Sequence, residues 1–132
     1  NRAGWLVTQD RIILDGTQIT SQAKTISRAK RKAGMSLKDF RTYWAEAHSP
    51  LACKLPGIQR YVQCLTVDTA YAYAEPRLDE VSQIWVENLV ALQRLREAEE
   101  YTVGTSSDAA KVLDGESVAS FAAQEHHAIR PE

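Results

Sequence analysis

Three histidines are the side chains of this sequence best suited to moving a proton near neutral pH, and they fall in two places: His48 alone, and His126 beside His127. His48 stands in the run Tyr43-Trp44-Ala45-Glu46-Ala47-His48-Ser49-Pro50, with Tyr61 following after a short interval. A neutral imidazole walled by Trp44, Tyr43 and Tyr61 could abstract a proton from an activated carbon or a phenol. The same residue also reads as a histidine whose ring hydrogen-bonds to the chain and locks a break in a helix. In Glu125-His126-His127, strand alternation sends His126 to one face and its neighbours to the other, so only one of the two histidines can face a pocket. A polar edge strand is the alternative reading there. Tyr61 and Trp85 could stack on a flat ligand or fill a core. Cys64 could donate a proton or act as a nucleophile, but free cysteine more often sits inert in a core.

No metal site is expected. The histidines lack ligand-spaced partners, and Glu46-x-His48 has a spacing that puts the two side chains on different faces of a helix. No Gly-rich phosphate loop, nucleophile-elbow serine, or flavin or nicotinamide fingerprint occurs, so no cofactor is expected either.

The elements that must hold these residues form one domain. The 132 residues are 44% hydrophobic and 25% charged, with few Gly and Pro, as in a packed globular chain. A formal net charge of −1 with interspersed signs offers no field for a phosphate backbone, so nucleic acid is not an expected partner. The basic run Arg28–Lys32 reads as a solvated strand end. No uninterrupted apolar stretch is long enough to span a membrane. Two cysteines, Cys53 and Cys64, make no bridge framework and point to a reducing, cytoplasmic setting.

Along the chain, Asp15-Gly16 between β-prone runs predicts a tight hairpin within residues 1–22, an arm added to a domain over 23–132. Lys24–Arg28 is a short strand. Ser36 caps a helix, with Asp39 three residues on, and Leu37, Phe40, Trp44, Ala47 and Leu51 recur on one face. Ser49-Pro50 predicts a break, with Ser49 capping a second segment through Leu55. Ile58–Asp68 is a long strand and Val81–Glu87 another. Asn88 opens an amphipathic helix carrying Leu89, Leu92 and Leu95, which Gly104 stops. Ser107-Asp108 opens a short turn, and Ser117–Ile129 is the last strand. This βαββαβ order is the ferredoxin-like split βαβ arrangement, α+β with an antiparallel sheet and both helices on one face. The uncovered face carries large apolar side chains, which predicts a homodimer sealed face to face.

Lys30-Arg31-Lys32-Ala33-Gly34-Met35-Ser36, Phe40, Trp44, Glu46-Ala47-His48-Ser49-Pro50-Leu51 and Leu55-Pro56-Gly57-Ile58-Gln59-Arg60-Tyr61-Val62 together resemble the EthD-like family. Gln83-Ile84-Trp85-Val86-Glu87-Asn88-Leu89 and Gln124-Glu125-His126 look like its third and last strands. The resemblance implies the dimeric α/β-barrel superfold. Relatives include companions of ether-degrading oxygenases and pathway enzymes that dehydrate or decarboxylate without a cofactor, while more distant ones on this fold isomerise lactones, cyclise polyketides or oxidise quinols. The expected activity is therefore cofactor-independent, lyase, isomerase or oxidoreductase in type, on an aromatic, polyketide-like or lactone metabolite. His48 and His126 are its candidate catalytic groups, and Tyr43, Trp44, Tyr61 and Trp85 line its ligand pocket. The alternative is a noncatalytic auxiliary that binds a small molecule or supports an oxygenase.

Overall fold

A computed structural model describes residues 6–16 and 23–124. Its strands are β1 (Thr8–Leu14), β2 (Ala23–Ala29), β3 (Arg60–Thr66), β4 (Glu80–Val86) and β5 (Ala119–Gln124), joined in one antiparallel sheet of order β1-β3-β4-β2-β5. The last four strands in that order make the ferredoxin-like arrangement expected from the sequence. β1 extends the sheet beyond β3, with a register slip between Ile12 and Leu14. The second half of the expected hairpin, residues 17–22, lies outside the described residues, as do Glu125, His126 and His127.

The helices are α1 (Leu37–Tyr43), α2 (Ser49–Ala52), α3 (Asp68–Tyr71), α4 (Leu89–Glu97) and α5 (Ser106–Ala110), and all but the short, unburied α3 contribute to the cover of one sheet face. Ser36 caps α1 as expected, its Oγ accepting from the Asp39 N–H at 3.0 Å. The expected break at Ser49-Pro50 is absent. Trp44–His48 is a π-helical turn that joins α1 to α2 without a gap, Tyr43, His48 and Ser49 all keeping helical dihedrals. The N–H of Ser49 reaches the carbonyl of Trp44, five residues back, and the wider turn takes in the proline, which has no N–H to give. Ser49 is consequently no cap. Its Oγ donates back to the same carbonyl at 2.8 Å.

Widening the turn also rotates the helix face by one position. Phe40, Trp44 and His48 are buried in a row, whereas Ala47, which α-helical periodicity would place inside, is exposed. Phe40 and Trp44 stack with ring centroids 5.5 Å apart, and burying Phe40 alone is worth roughly 1.5–3 kcal/mol. Together with Ala29, Val112 and Leu113 they form one core cluster; Ala52, Leu55, Tyr61, Leu92 and Leu95 belong to a second.

α4 begins at Asn88, whose Oδ1 accepts from the Ala91 N–H at 2.9 Å. It ends at Ala98, before Gly104 rather than at it. Glu97, Glu99 and Glu100 crowd that end, where the helix dipole disfavours anions. The last two acids instead stand at the start of the next helical segment, a π turn over Glu100–Thr105 that runs into α5.

Cross-strand register assigns the faces. Tyr61, Gln63, Glu80, Ser82, Ile84, Thr25 and Ser27 turn toward the helices. Trp85, Val62, Val81, Ile26 and Phe121 lie on the open face, together with Lys24, Arg28 and Arg60. Phe121 is 55% exposed and Ile12 51% exposed, so the apolar open face anticipated from the sequence is present, though cations are interleaved with it. Among the described residues no helix is long and apolar enough to cross a membrane.

Candidate active site

Between the helices and the covered sheet face is a cavity of about 270 Å³. The π turn and α2 supply Trp44, His48 and Ala52 to its wall, the sheet supplies Tyr61, Glu80, Ser82 and Ile84, and the segment around α5 supplies Tyr101, Thr105 and Ala109. Most of the wall is apolar carbon. The titratable groups on it are therefore held where water is scarce and electrostatic effects are strong.

His48 reaches this wall because of the π turn, which stacks its ring on Trp44 at 3.8 Å between centroids and 4° between planes. Its Nδ1 lies 3.0 Å from Asp108 Oδ2 on α5, and the Tyr43 hydroxyl donates to the other oxygen, Oδ1, at 2.5 Å. Lys111 stands 3.7 Å from that same Oδ1. Burial alone would raise the Asp108 pKa, but the bonds from Tyr43 and His48 outweigh it and hold the carboxyl below its ordinary value. For His48 the balance goes the other way. Burial pushes its pKa below the usual imidazole value, and Asp108 offsets this only in part. At pH 7 the ring is therefore neutral. An ionised carboxylate at Nδ1 can only accept, so the proton sits on Nδ1 and Nε2 carries the free lone pair. Among the described residues Nε2 makes no hydrogen bond.

Glu80 is the carboxyl group on the wall. It is 1% exposed, and burial raises its carboxyl from 4.5 to about 8, against the opposing effects of Ser82, Trp44 and Arg11. Ser82 Oγ donates to Glu80 Oε2 at 2.6 Å. The Trp44 indole N–H favours the ionised form without reaching hydrogen-bond geometry, and it is left buried without a partner. The cavity thus holds a neutral base and a neutral acid at pH 7, two groups whose surroundings push their pKa values in opposite directions.

The EthD domain family matches residues 32–116, more than half of the chain. The chain belongs to the EthD family. Its fold is similar to that of an EthD family protein from Bacillus halodurans C-125, with TM-score 0.66 and 18% identity over 80% of this chain and 99% of that one. It is also similar to a dimeric protein of unknown function and ferredoxin-like fold from Bacteroides fragilis NCTC 9343, with TM-score 0.59 and 15% identity over 79% and 96%. No curated protein matches it.

In this EthD protein the residues singled out from the sequence part company. His48, Trp44 and Tyr61 share the cavity. Tyr43 stands behind it, holding Asp108 rather than facing a ligand. Trp85 is not on the cavity wall: register puts it on the open sheet face, where Lys24 Nζ and the Arg60 guanidinium lie 5.0 and 5.3 Å from its ring. His126 falls outside the described residues. Cys64, also on the open side, is buried, and desolvation raises its thiol pKa, which suits core rather than chemistry. Among the described residues no three His, Cys, Asp or Glu side chains could together hold a metal ion.

Sequence reasoning missed Glu80 and Asp108. Glu80 carries a legible signal, since it alternates in phase with Ser82 and Ile84, but starting the strand at Val81 leaves it in the preceding loop. Asp108 carries none: nothing local in Ser106-Ser107-Asp108 announces a partner sixty residues earlier.

Proposed function

We propose that this protein is an enzyme that transfers a proton on a small, largely apolar metabolite of aromatic, polyketide-like or lactone type, without a cofactor. His48 Nε2 is the base and Glu80 the acid. The observation that carries the reading is the pairing of His48 Nδ1 with Asp108 at 3.0 Å, on a cavity wall that also carries Glu80, which keeps its proton to about pH 8. A base and an acid must both be in the competent state for such a step, and both are so near neutrality. The apolar wall excludes water and strengthens each contact with a reacting molecule.

A thermal-shift screen across phenols, anthrones and lactones identifies the ligand class, and turnover of the hits then tests the chemistry. On this reading kcat/KM rises as His48 loses its proton below the ordinary imidazole value and falls again near pH 8 as Glu80 ionises. A profile that climbs through pH 8 without falling rules Glu80 out as the acid. Hits that bind but are not turned over make the protein a binding auxiliary.

A second copy of the chain is the proposed cover for the open sheet face, where Phe121, Ile12, Ile26 and Trp85 are gathered. The dimeric state of the Bacteroides fragilis neighbour supports it. Sedimentation at micromolar concentration is expected to give a dimer, and a stable single protomer contradicts this part of the proposal.

A further inference from the structure

Arg11 lies on β1 opposite Gln63 and turns to the helix side of the sheet. Its Nε donates to Gln63 Oε1 at 2.9 Å, and one terminal nitrogen donates to the same oxygen. A guanidinium has donors only, so this contact decides which way the amide faces, with its oxygen to Arg11 and its nitrogen to the interior. Gln63 is fully buried, and its Nε2 lies 2.9 Å from Ser49 Oγ, 2.9 Å from the Tyr61 hydroxyl and 3.1 Å from the Trp44 carbonyl.

Two amide hydrogens face three acceptors. The Trp44 carbonyl already receives the N–H and the Oγ–H of Ser49, so the hydrogens go to the two shorter contacts. The phenolic oxygen of Tyr61 is thereby made an acceptor, and its own proton must point elsewhere. Among the described hydrogen bonds nothing takes that proton. The polar groups that act on Tyr61 besides Gln63 include Ser82 and Glu80, both on the cavity wall with it.

Taking the cavity to be the proton-transfer site described above, we propose that Arg11 is a positioning residue. Through Gln63 it turns the Tyr61 O–H into a hydrogen-bond donor for an oxyanion formed in the cavity, which makes the substrate class a carbonyl compound with an acidic C–H. His48 Nε2 removes the carbon-bound proton, the C–H electron pair becomes the new C=C bond, and the carbonyl π pair moves onto oxygen. That enolate oxygen accepts the Tyr61 hydrogen bond. Glu80 then gives its proton to the oxygen or to a different carbon, and the imidazolium proton returns through solvent to the Glu80 carboxylate, which restores both groups and gives a tautomer with no net oxidation. Tyr61 keeps its proton throughout, because burial pushes its phenol far above the ordinary value. The inference draws β1, which lies outside the family-matched residues 32–116, into the chemistry.

The test uses the full chain with two probes, 4-nitrophenol as an oxyanion mimic and nitrobenzene as the same ring without the hydroxyl. Absorbance reads the ionised fraction of bound nitrophenol. The wild-type protein is expected to bind the phenolate in preference to nitrobenzene. Arg11→Met is expected to lower that preference at least tenfold while nitrobenzene affinity stays within about twofold, a split that a purely structural role would not produce. Gln63→Glu is a second route, independent of Arg11→Met folding: it keeps the Arg11 contact but presents an acceptor to Tyr61, drawing the phenolic proton out of the cavity, with the same loss expected. If Tyr61→Phe loses the preference while Arg11→Met and Gln63→Glu retain it, the positioning role is overturned and the proton-transfer reading stands. Equal loss of both probes in Arg11→Met also overturns the role. A wild-type protein with no preference for phenolate, or a Tyr61→Phe variant that keeps it, overturns the oxyanion site and removes support from the proton-transfer reading as well.

Discussion

Replacing His48 by Gln is expected to lower turnover by a factor of about 10²–10⁴, the usual contribution of a positioned general base, with the unfolding midpoint close to that of the wild type. The glutamine amide is planar and can still donate toward Asp108 while lying on Trp44, so the packing and the Asp108–Tyr43 contact survive. What is lost is the basic lone pair at the position of Nε2. Steady-state kinetics on a hit from the ligand screen, alongside thermal unfolding, separates the two effects. An unchanged rate removes His48 from the chemistry and leaves it the structural role of tying the π turn to α5.

The second large effect concerns Glu80 and is read in stability. Its folded pKa of about 8 is above the ordinary 4.5, so the proton is held more tightly in the folded chain than in the unfolded one. The stabilisation from this protonated group is fully present below about pH 4.5 and is lost as pH rises toward 8. The whole loss is of the order of 5 kcal/mol at most, since each pKa unit corresponds to about 1.4 kcal/mol. Glu80→Gln cannot ionise, and its amide oxygen can still accept from Ser82 Oγ. The difference in stability between the variant and the wild type should be constant below about pH 4.5 and then shift progressively in favour of the variant toward pH 9, as measured by urea unfolding midpoints. Contributions of other groups cancel in the difference between the two proteins. Parallel pH curves would mean that Glu80 titrates as an ordinary carboxylate, and the acid of the proposed reaction would be gone.

Much of the architecture was legible because it rests on local physics. Apolar periodicity, the Ser36 and Asn88 caps and the β-rich runs around Tyr61 and Trp85 carry the split βαβ order directly. The helix joint was misread for a reason that is not local. Pro50 does signal trouble for an α-helix, but whether the chain breaks or widens depends on what meets the freed groups. Here the Trp44 carbonyl receives both the N–H and the Oγ–H of Ser49, and that hydroxyl is held in turn by Gln63 Nε2, which comes from β3. That same widening exchanges Ala47 for His48 on the buried face.

The candidate site was half legible. An isolated His beside Trp44 and ahead of Tyr61 is recognisable in one dimension, and these three residues meet at the cavity. Trp85 is misplaced because alternation in a strand with two mixed faces does not say which face is covered. Asp108 is invisible because its function is its contact with His48, created only when α5 packs against the π turn. Ionisation states were beyond reach for the same reason: the neutral forms of His48 and Glu80 are imposed by burial, which one strand or helix cannot reveal.

Nuclear magnetic resonance titration of the free protein, with nitrogen-labelled histidine and carboxyl-labelled glutamate, tests the pairing of neutral base and neutral acid without any substrate. The expected spectrum shows His48 uncharged at pH 7 with its proton on Nδ1 and a midpoint below 6.5, while the Glu80 carboxyl titrates near 8. A charged His48 at pH 7, a proton on Nε2, or a Glu80 midpoint near 4.5 would contradict it.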